Sequence, residues 1–255
     1  MAPRDTISTA IRAAAQRGRP ALVGFMTAGF PSRATFGANL AAVAKACDVV
    51  EVGVPFTDPM ADGTTIQRAS FAALADGVTL PWILETLRAA PSRGTTPIIL
   101  MSYLNPLLAY GLERLPRDAA AAGVAGFIVP DLPYEESADL GQALDREGLA
   151  LVQMVTPVTP DARLAKLCAA AQGFVYAVTM TGTTGKSAAV PTDVLAYMDR
   201  VKRVSPVPVC AGFGIRSREQ VALFGGHVDG VIVGSALVET LERGEDPGAF
   251  LKSLR

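Results

Sequence analysis

The chain has 255 residues, of which 50% are hydrophobic and 18% charged, a composition that supplies a large aliphatic core. With 23 Lys and Arg against 24 Asp and Glu and no basic run, it carries no nucleic-acid footprint, so a small-molecule partner is expected. The N-terminal MAPRDTISTAIRAAAQRG is too polar for a signal peptide, and no stretch reads as apolar enough to span a bilayer.

Short β-branched runs alternate with Ala/Leu segments of helical period from end to end, which is the pattern of parallel strands with crossover helices. Ile7 and Ile11, four apart, predict an extra helix before the first strand, placed to cover the lower mouth of a barrel. Strands follow at 21–29, 48–55, 96–103, 126–133, 150–157, 173–180, 206–214 and 229–236, with helical segments between them. Eight such units in this length favour one closed (β/α)8 TIM barrel over residues 1–255, with no domain boundary. Thr64 with Gln67, and Ser217 with Gln220, have the spacing of capping boxes.

Cys47, Cys168 and Cys210 sit apart in apolar contexts without a CxxC pair and read as buried reduced thiols, which suits an intracellular, cytoplasmic location. The single His227 lies in a turn, and a lone His does not assemble a His-based metal site, so no metal is expected.

Within the second strand, VVEVGV places Glu51 in a run that is apolar on both faces, where a carboxylate is costly unless it has a use or a partner. No basic neighbour is evident, and desolvation should raise its pKa, as suits a group that gives and takes a proton near neutrality. Asp58 and Asp62 follow in a Pro/Gly-rich loop. In a TIM barrel the active site gathers at the C-terminal strand ends, which selects Glu51, Asp62, Asp131, Tyr176, Thr184, Gly212, Gly214, Gly234 and Ser235. Asp58 and Asp131 have the competing reading of turn formers or helix caps. AGFGIRSREQ and VGSALVETL, after strands seven and eight, predict a phosphate site in which Gly214 and Gly234 admit close backbone approach and Ser235 opens a short helix. Phe25, Ile66, Met101, Ile128 and Phe213 are candidates for an apolar pocket, with core packing the alternative for each. The Gly/Thr-rich segment 179–193 reads as a lid over the mouth.

These residues together resemble the tryptophan synthase alpha chain family. VEVGVPFTDPMADG followed by TIQ looks like that family's hallmark, and MSYLNP, FIVPDLPYEES, YAVTMTGTTG, GFGI and GSALV match its later blocks in order. The resemblance implies retro-aldol cleavage of indole-3-glycerol phosphate to indole and glyceraldehyde 3-phosphate. It also implies an alpha2-beta2 heterotetramer in which indole passes to a beta chain that carries pyridoxal phosphate, with no cofactor in this chain. By the same resemblance Glu51 is the general acid/base and Asp62 holds the indole N–H. Tyr176 and Thr184 line the site and latch the lid, Gly185, Gly214, Gly234 and Ser235 contact phosphate, and Asp58, Asn105 and Pro133 face the beta chain. The chain departs from the pattern at Thr64, where many relatives have Pro, and at Met180, where some have Arg. Rival readings are a free-standing lyase without a beta chain, a non-catalytic regulatory subunit, and a metal-dependent phosphosugar epimerase, the last disfavoured by the single His.

Overall fold

In the computed structural model, which describes residues 1–90, 94–179, 192–212 and 214–255, the β-branched runs form eight parallel strands closed into a barrel. They are β1 (Ala21–Thr27), β2 (Val49–Gly53), β3 (Ile98–Met101), β4 (Val124–Ile128), β5 (Ala150–Val155), β6 (Val175–Val178), β7 (Val209–Gly212) and β8 (Gly230–Val233), paired in chain order with β8 closing on β1. Their residues are almost all buried because one face fills the barrel and the other is covered by helices. β4 starts two residues before the expected 126 and ends at Ile128, well short of 133. Pro130 and Pro133 carry no backbone N–H for a ladder, so pairing stops before them.

The helices are α1 (Pro3–Gln16), α2 (Arg33–Ala46), α3 (Thr64–Ala75), α4 (Leu80–Ala89), α5 (Leu104–Tyr110), α6 (Leu115–Ala121), α7 (Ala138–Arg146), α8 (Asp161–Ala170), α9 (Thr192–Val204), α10 (Arg218–Leu223), α11 (Ser235–Glu242) and α12 (Pro247–Ser253). α1 is the expected extra helix. Its Ile7, Ile11 and Ala14 are buried with Ala21, Val23, Val49, Ala150 and Phe174 inside the lower barrel. Arg4 N–H donates to the Gly148 carbonyl at 2.9 Å and Ser8 Oγ to the Gly173 carbonyl at 2.5 Å, which fixes the helix across the opening. At the same end Asp48 accepts from Arg19 at 2.7 and 2.9 Å, from Arg17 and Arg255 at 3.1 Å, and from the Leu22 N–H at 2.9 Å. Burial alone would raise the Asp48 carboxyl, but Arg19, the Leu22 N–H and Arg255 outweigh it and hold the group below its ordinary value.

One of the two capping boxes differs from expectation. Thr64 is the first residue of α3, and Gly63 occupies the cap position without a side-chain bond. Gln67 Nε2 instead donates to the carbonyls of Asp62 at 2.9 Å and Pro59 at 3.3 Å, because the tight preceding loop leaves those carbonyls without strand or helix partners. Ser217 does cap α10, accepting from Gln220 N–H at 3.4 Å, while Gln220 Oε1 reaches back to Arg216 N–H at 2.7 Å. The three cysteines are free and buried, and His227 lies in a loop with Nδ1 2.8 Å from Asp199 Oδ1.

Candidate active site

Glu51 occupies the centre of β2, in register with Phe25 of β1 and Ile99 of β3, and is only 1% exposed. Among the described residues it forms no ion pair and its Oε2 has no hydrogen-bond partner. Desolvation, reinforced by the negative charge of Asp62, pushes its pKa up to about 8. A side chain in that state is a neutral acid at pH 7 and still able to become a base. Structural burial without compensation is expensive, so this arrangement persists where it serves chemistry.

Asp62 comes from the loop after β2, and three side chains hold that loop. Ser70 Oγ accepts from Phe56 N–H at 2.8 Å, Gln67 holds the Asp62 and Pro59 carbonyls, and Tyr103 reaches in from the end of β3. The Tyr103 hydroxyl accepts from Ala61 N–H at 2.9 Å and donates to Asp62 Oδ2 at 3.1 Å, with its ring stacked on Phe56 at 5.1 Å. Burial raises the Asp62 pKa to about 6, and the Tyr103 hydrogen bond opposes that rise. Asp62 is therefore ionised at pH 7 while Glu51 is protonated, which separates the two carboxyls into a charge-stabilising group and a proton donor. Tyr103 was missed in the sequence because its partner lies 41 residues away; its place at the end of a strand was the available signal.

Both acids line a cavity of about 400 Å³ at the C-terminal ends of the strands. Phe25, Ile66, Met101 and Tyr176 line it as expected. Ile128 does not. It is fully buried in the cluster that fills the barrel interior, and Met154 and Ile232 supply apolar wall that the sequence reading did not name. Tyr176 stands against Gly212, where a Cβ would fall 2.2 Å from the Tyr176 ring, so the glycine is required for the tyrosine to occupy the mouth. Burial and the two nearby carboxylates push the Tyr176 hydroxyl well up.

Gly214, Gly234 and Ser235 line the same cavity. Gly234 caps α11, accepting from the Leu237 and Val238 N–H groups, and Ser235 is its first residue. The first N–H groups of a helix have no acceptor within it, so this end presents donors and a partial positive charge. A Cβ on Gly214 would meet nothing within 4 Å and one on Gly234 only Ile66 and Phe25 at 3.9 Å or more, so both backbones border open space. Arg216, in the loop after β7, is engaged by Glu239 at 2.7 and 3.0 Å. Among the described residues no cluster of three or more His, Cys, Asp or Glu could hold a metal ion.

Asp58, Asn105 and Pro133 are exposed on the same barrel end, beside the exposed Met60 and Leu108. Asp131 takes the capping role, accepting from Leu104 N–H at the start of α5 at 2.9 Å. Thr184, Gly185, Phe213 and Met180 lie outside the described residues, as does the rest of the stretch between Thr179 and Thr192 on which the expectation of a lid falls.

The model of the family described as tryptophan synthase alpha chain matches residues 11–253. The chain is 44% identical over 253 residues to the tryptophan synthase alpha chain of Solidesulfovibrio magneticus, covering 99% of each. It is 45% identical over 244 residues to that of Nitratidesulfovibrio vulgaris, covering 95% of each. Among solved structures it resembles aminoacrylate-bound tryptophan synthase of Mycobacterium tuberculosis, with a TM-score of 0.88 at 36% identity over 98% of this chain and 97% of that one. A mutant alpha-subunit from Pyrococcus furiosus superposes with a TM-score of 0.84 at 34% identity, over 93% of this chain and 98% of that one.

Proposed function

Since the chain belongs to the tryptophan synthase alpha chain family, we propose that Glu51 and Asp62 divide between them the cleavage of indole-3-glycerol phosphate that is this family's reaction. It is a lyase of tryptophan biosynthesis, and the pyridoxal phosphate of the complete synthase belongs to the beta chain. The observation that carries the assignment is the pair of carboxyls on one cavity, with Glu51 buried, unpaired and raised to about 8 beside Asp62 at about 6.

The chemistry follows from those states. Breaking the bond between indole C3 and the glycerol carbon needs a ring that accepts the electron pair. Glu51 delivers its proton to C3, and the ring becomes an electron-poor indolenine cation. The ionised Asp62 accepts the indole N–H and stabilises the positive charge as it forms. Glu51, now a carboxylate, takes the proton from the adjacent glycerol hydroxyl. The C–C bond then breaks, its electrons return to the ring, and indole leaves with the aldehyde. No water or added oxidant is consumed. The phosphate rests on the N–H groups around Gly214, Gly234 and Ser235, and Phe25, Ile66, Met101 and Tyr176 enclose the indole.

As an alpha chain the protein works with a beta chain. We assign the docking face to Asp58, Asn105 and Pro133, in an alpha2-beta2 assembly. Indole is neutral and apolar and escapes through open water unless handed on directly. Exposed Met60 and Leu108 on this face are apolar area suited to such an interface. No helix among the described residues is long and apolar enough to cross a membrane. The three free, buried thiols fit the cytoplasm.

The direct test is indole release from indole-3-glycerol phosphate by the purified chain, alone and with a beta chain added. Turnover that is slow alone and rises with the beta chain is expected, and no release in either case overturns the reading. Gly234→Val should raise KM for this substrate ~10-fold or more with a smaller change in kcat, because the side chain enters the space of the phosphate. An unchanged KM would put the phosphate elsewhere.

A further inference from the structure

We infer that Tyr103 is a positioning residue for the lyase reaction, setting the orientation and ionisation of Asp62 through its hydroxyl and tying both to the start of α5. The inference rests on the assignment of Asp62 above. Among the described residues, Tyr103 is the one side chain that hydrogen-bonds the Asp62 carboxyl, donating to Oδ2 at 3.1 Å and leaving Oδ1 for the substrate. The same hydroxyl accepts from Ala61 N–H at 2.9 Å, so it fixes the backbone next to Asp62 as well as the carboxyl. Two bonds from one oxygen to adjacent residues define a plane, and the carboxyl cannot rotate away without losing one of them.

The ring has no freedom to move independently. It is 4% exposed, stacked on Phe56 at 5.1 Å, and borders with Asp62, Thr27, Ser70 and Ser102 a space of only about 20 Å³. Tyr103 is also the cap residue of α5, whose Leu104 N–H is held by Asp131 and whose Asn105 and Leu108 are exposed.

The sign of the electrostatic effect is fixed by geometry. A donor to the ionised carboxylate favours the ion, so removing it raises the pH at which Asp62 becomes competent. The other groups around Asp62 do not substitute for it. Glu51 on β2 is an acid, Tyr176 on β6 is a phenol without a bond to it, and Asp131 after β4 caps α5. On α3, Arg68 is paired with Glu242 and Thr65 bonds Glu239, which also holds Arg216.

The test is the pH profile of kcat/KM in the alpha–beta complex. Tyr103→Phe keeps the ring on Phe56 and removes the hydroxyl. The acid limb should move up by ~0.5 unit or more, so that kcat/KM falls ~3-fold or more on that limb and proportionally less near its maximum. Replacing Tyr103 by 3-fluorotyrosine, which keeps the shape and strengthens the donor, should move the limb the other way. In an Asp62→Asn background, which has no carboxylate for the hydroxyl to stabilise, Tyr103→Phe should add no pH-dependent loss. A uniform loss at all pH values, with the acid limb unmoved in both variants, would make Tyr103 a purely structural residue and overturn the inference. If Asp62→Asn itself leaves the rate and the limb intact, it is the Asp62 assignment that fails, and the inference with it.

Discussion

Glu51→Gln is expected to lower indole-3-glycerol phosphate cleavage by at least ~10²-fold, the usual scale for a positioned acid/base, while substrate binding and fold persist. Glutamine keeps the shape in the interior of β2 but has no proton to deliver to indole C3 and no base for the glycerol hydroxyl. Stability gives an independent check on the same residue. With its folded pKa raised to about 8 from 4.5, Glu51 is protonated in the folded chain and ionised in the unfolded chain between those values. Folding must then take up a proton, so the stability present below the unfolded pKa is lost as pH rises towards the folded one. Glutamine does not titrate. The stability of Glu51→Gln relative to the parent should therefore increase with pH, by up to ~1.4 kcal/mol per unit, and level off above the folded value. Denaturant melts at several pH values read this directly. Near-parental turnover would reject the catalytic assignment, and a pH-independent stability difference would reject the protonated, buried state.

The second large effect is expected at Asp62. Asparagine there still offers an oxygen to the indole N–H but no charge for the cation that forms in the ring, and a loss of ~10²-fold or more in kcat is expected. The pH profile separates this from general damage. Asp62 must be ionised and Glu51 protonated, so kcat/KM of the parent should rise through about 6 and fall through about 8, as apparent values of a coupled pair. Residual activity of Asp62→Asn should lack the acid limb and keep the alkaline one. Retention of both limbs at a reduced rate would mean that another group titrates near 6, and an unchanged rate would remove Asp62 from the mechanism.

The alternation of β-branched runs with helical periods determined the barrel without help from tertiary contacts, because each strand and its crossover helix are local patterns. Glu51 was legible for a related reason: a carboxylate inside a run apolar on both faces has no surface to reach whichever face it takes. Gly234 and Ser235 were legible because the helix they open follows the last strand directly, at the place where such barrels present N–H groups. Only the closed structure decided how deep each inward residue lies. Met101 and Ile128 are register partners on β3 and β4, yet Met101 borders the cavity and Ile128 is closed off in the interior cluster, since which inward residue meets the cavity depends on how all eight strands close and no strand encodes that alone. The α5 helix did not stand out because it is only seven residues long and the hydrogen bond that holds its Leu104 N–H comes from Asp131 on another loop, while Pro106 in the first turn costs no helical hydrogen bond. Thr64 lost its expected capping role to the needs of the Asp62 loop, whose carbonyls Gln67 must satisfy. Tyr103 and the Gly212–Tyr176 contact escaped for the same physical reason, since a hydrogen bond across 41 residues and a ring seated on a neighbouring strand's glycine exist only once the strands are side by side.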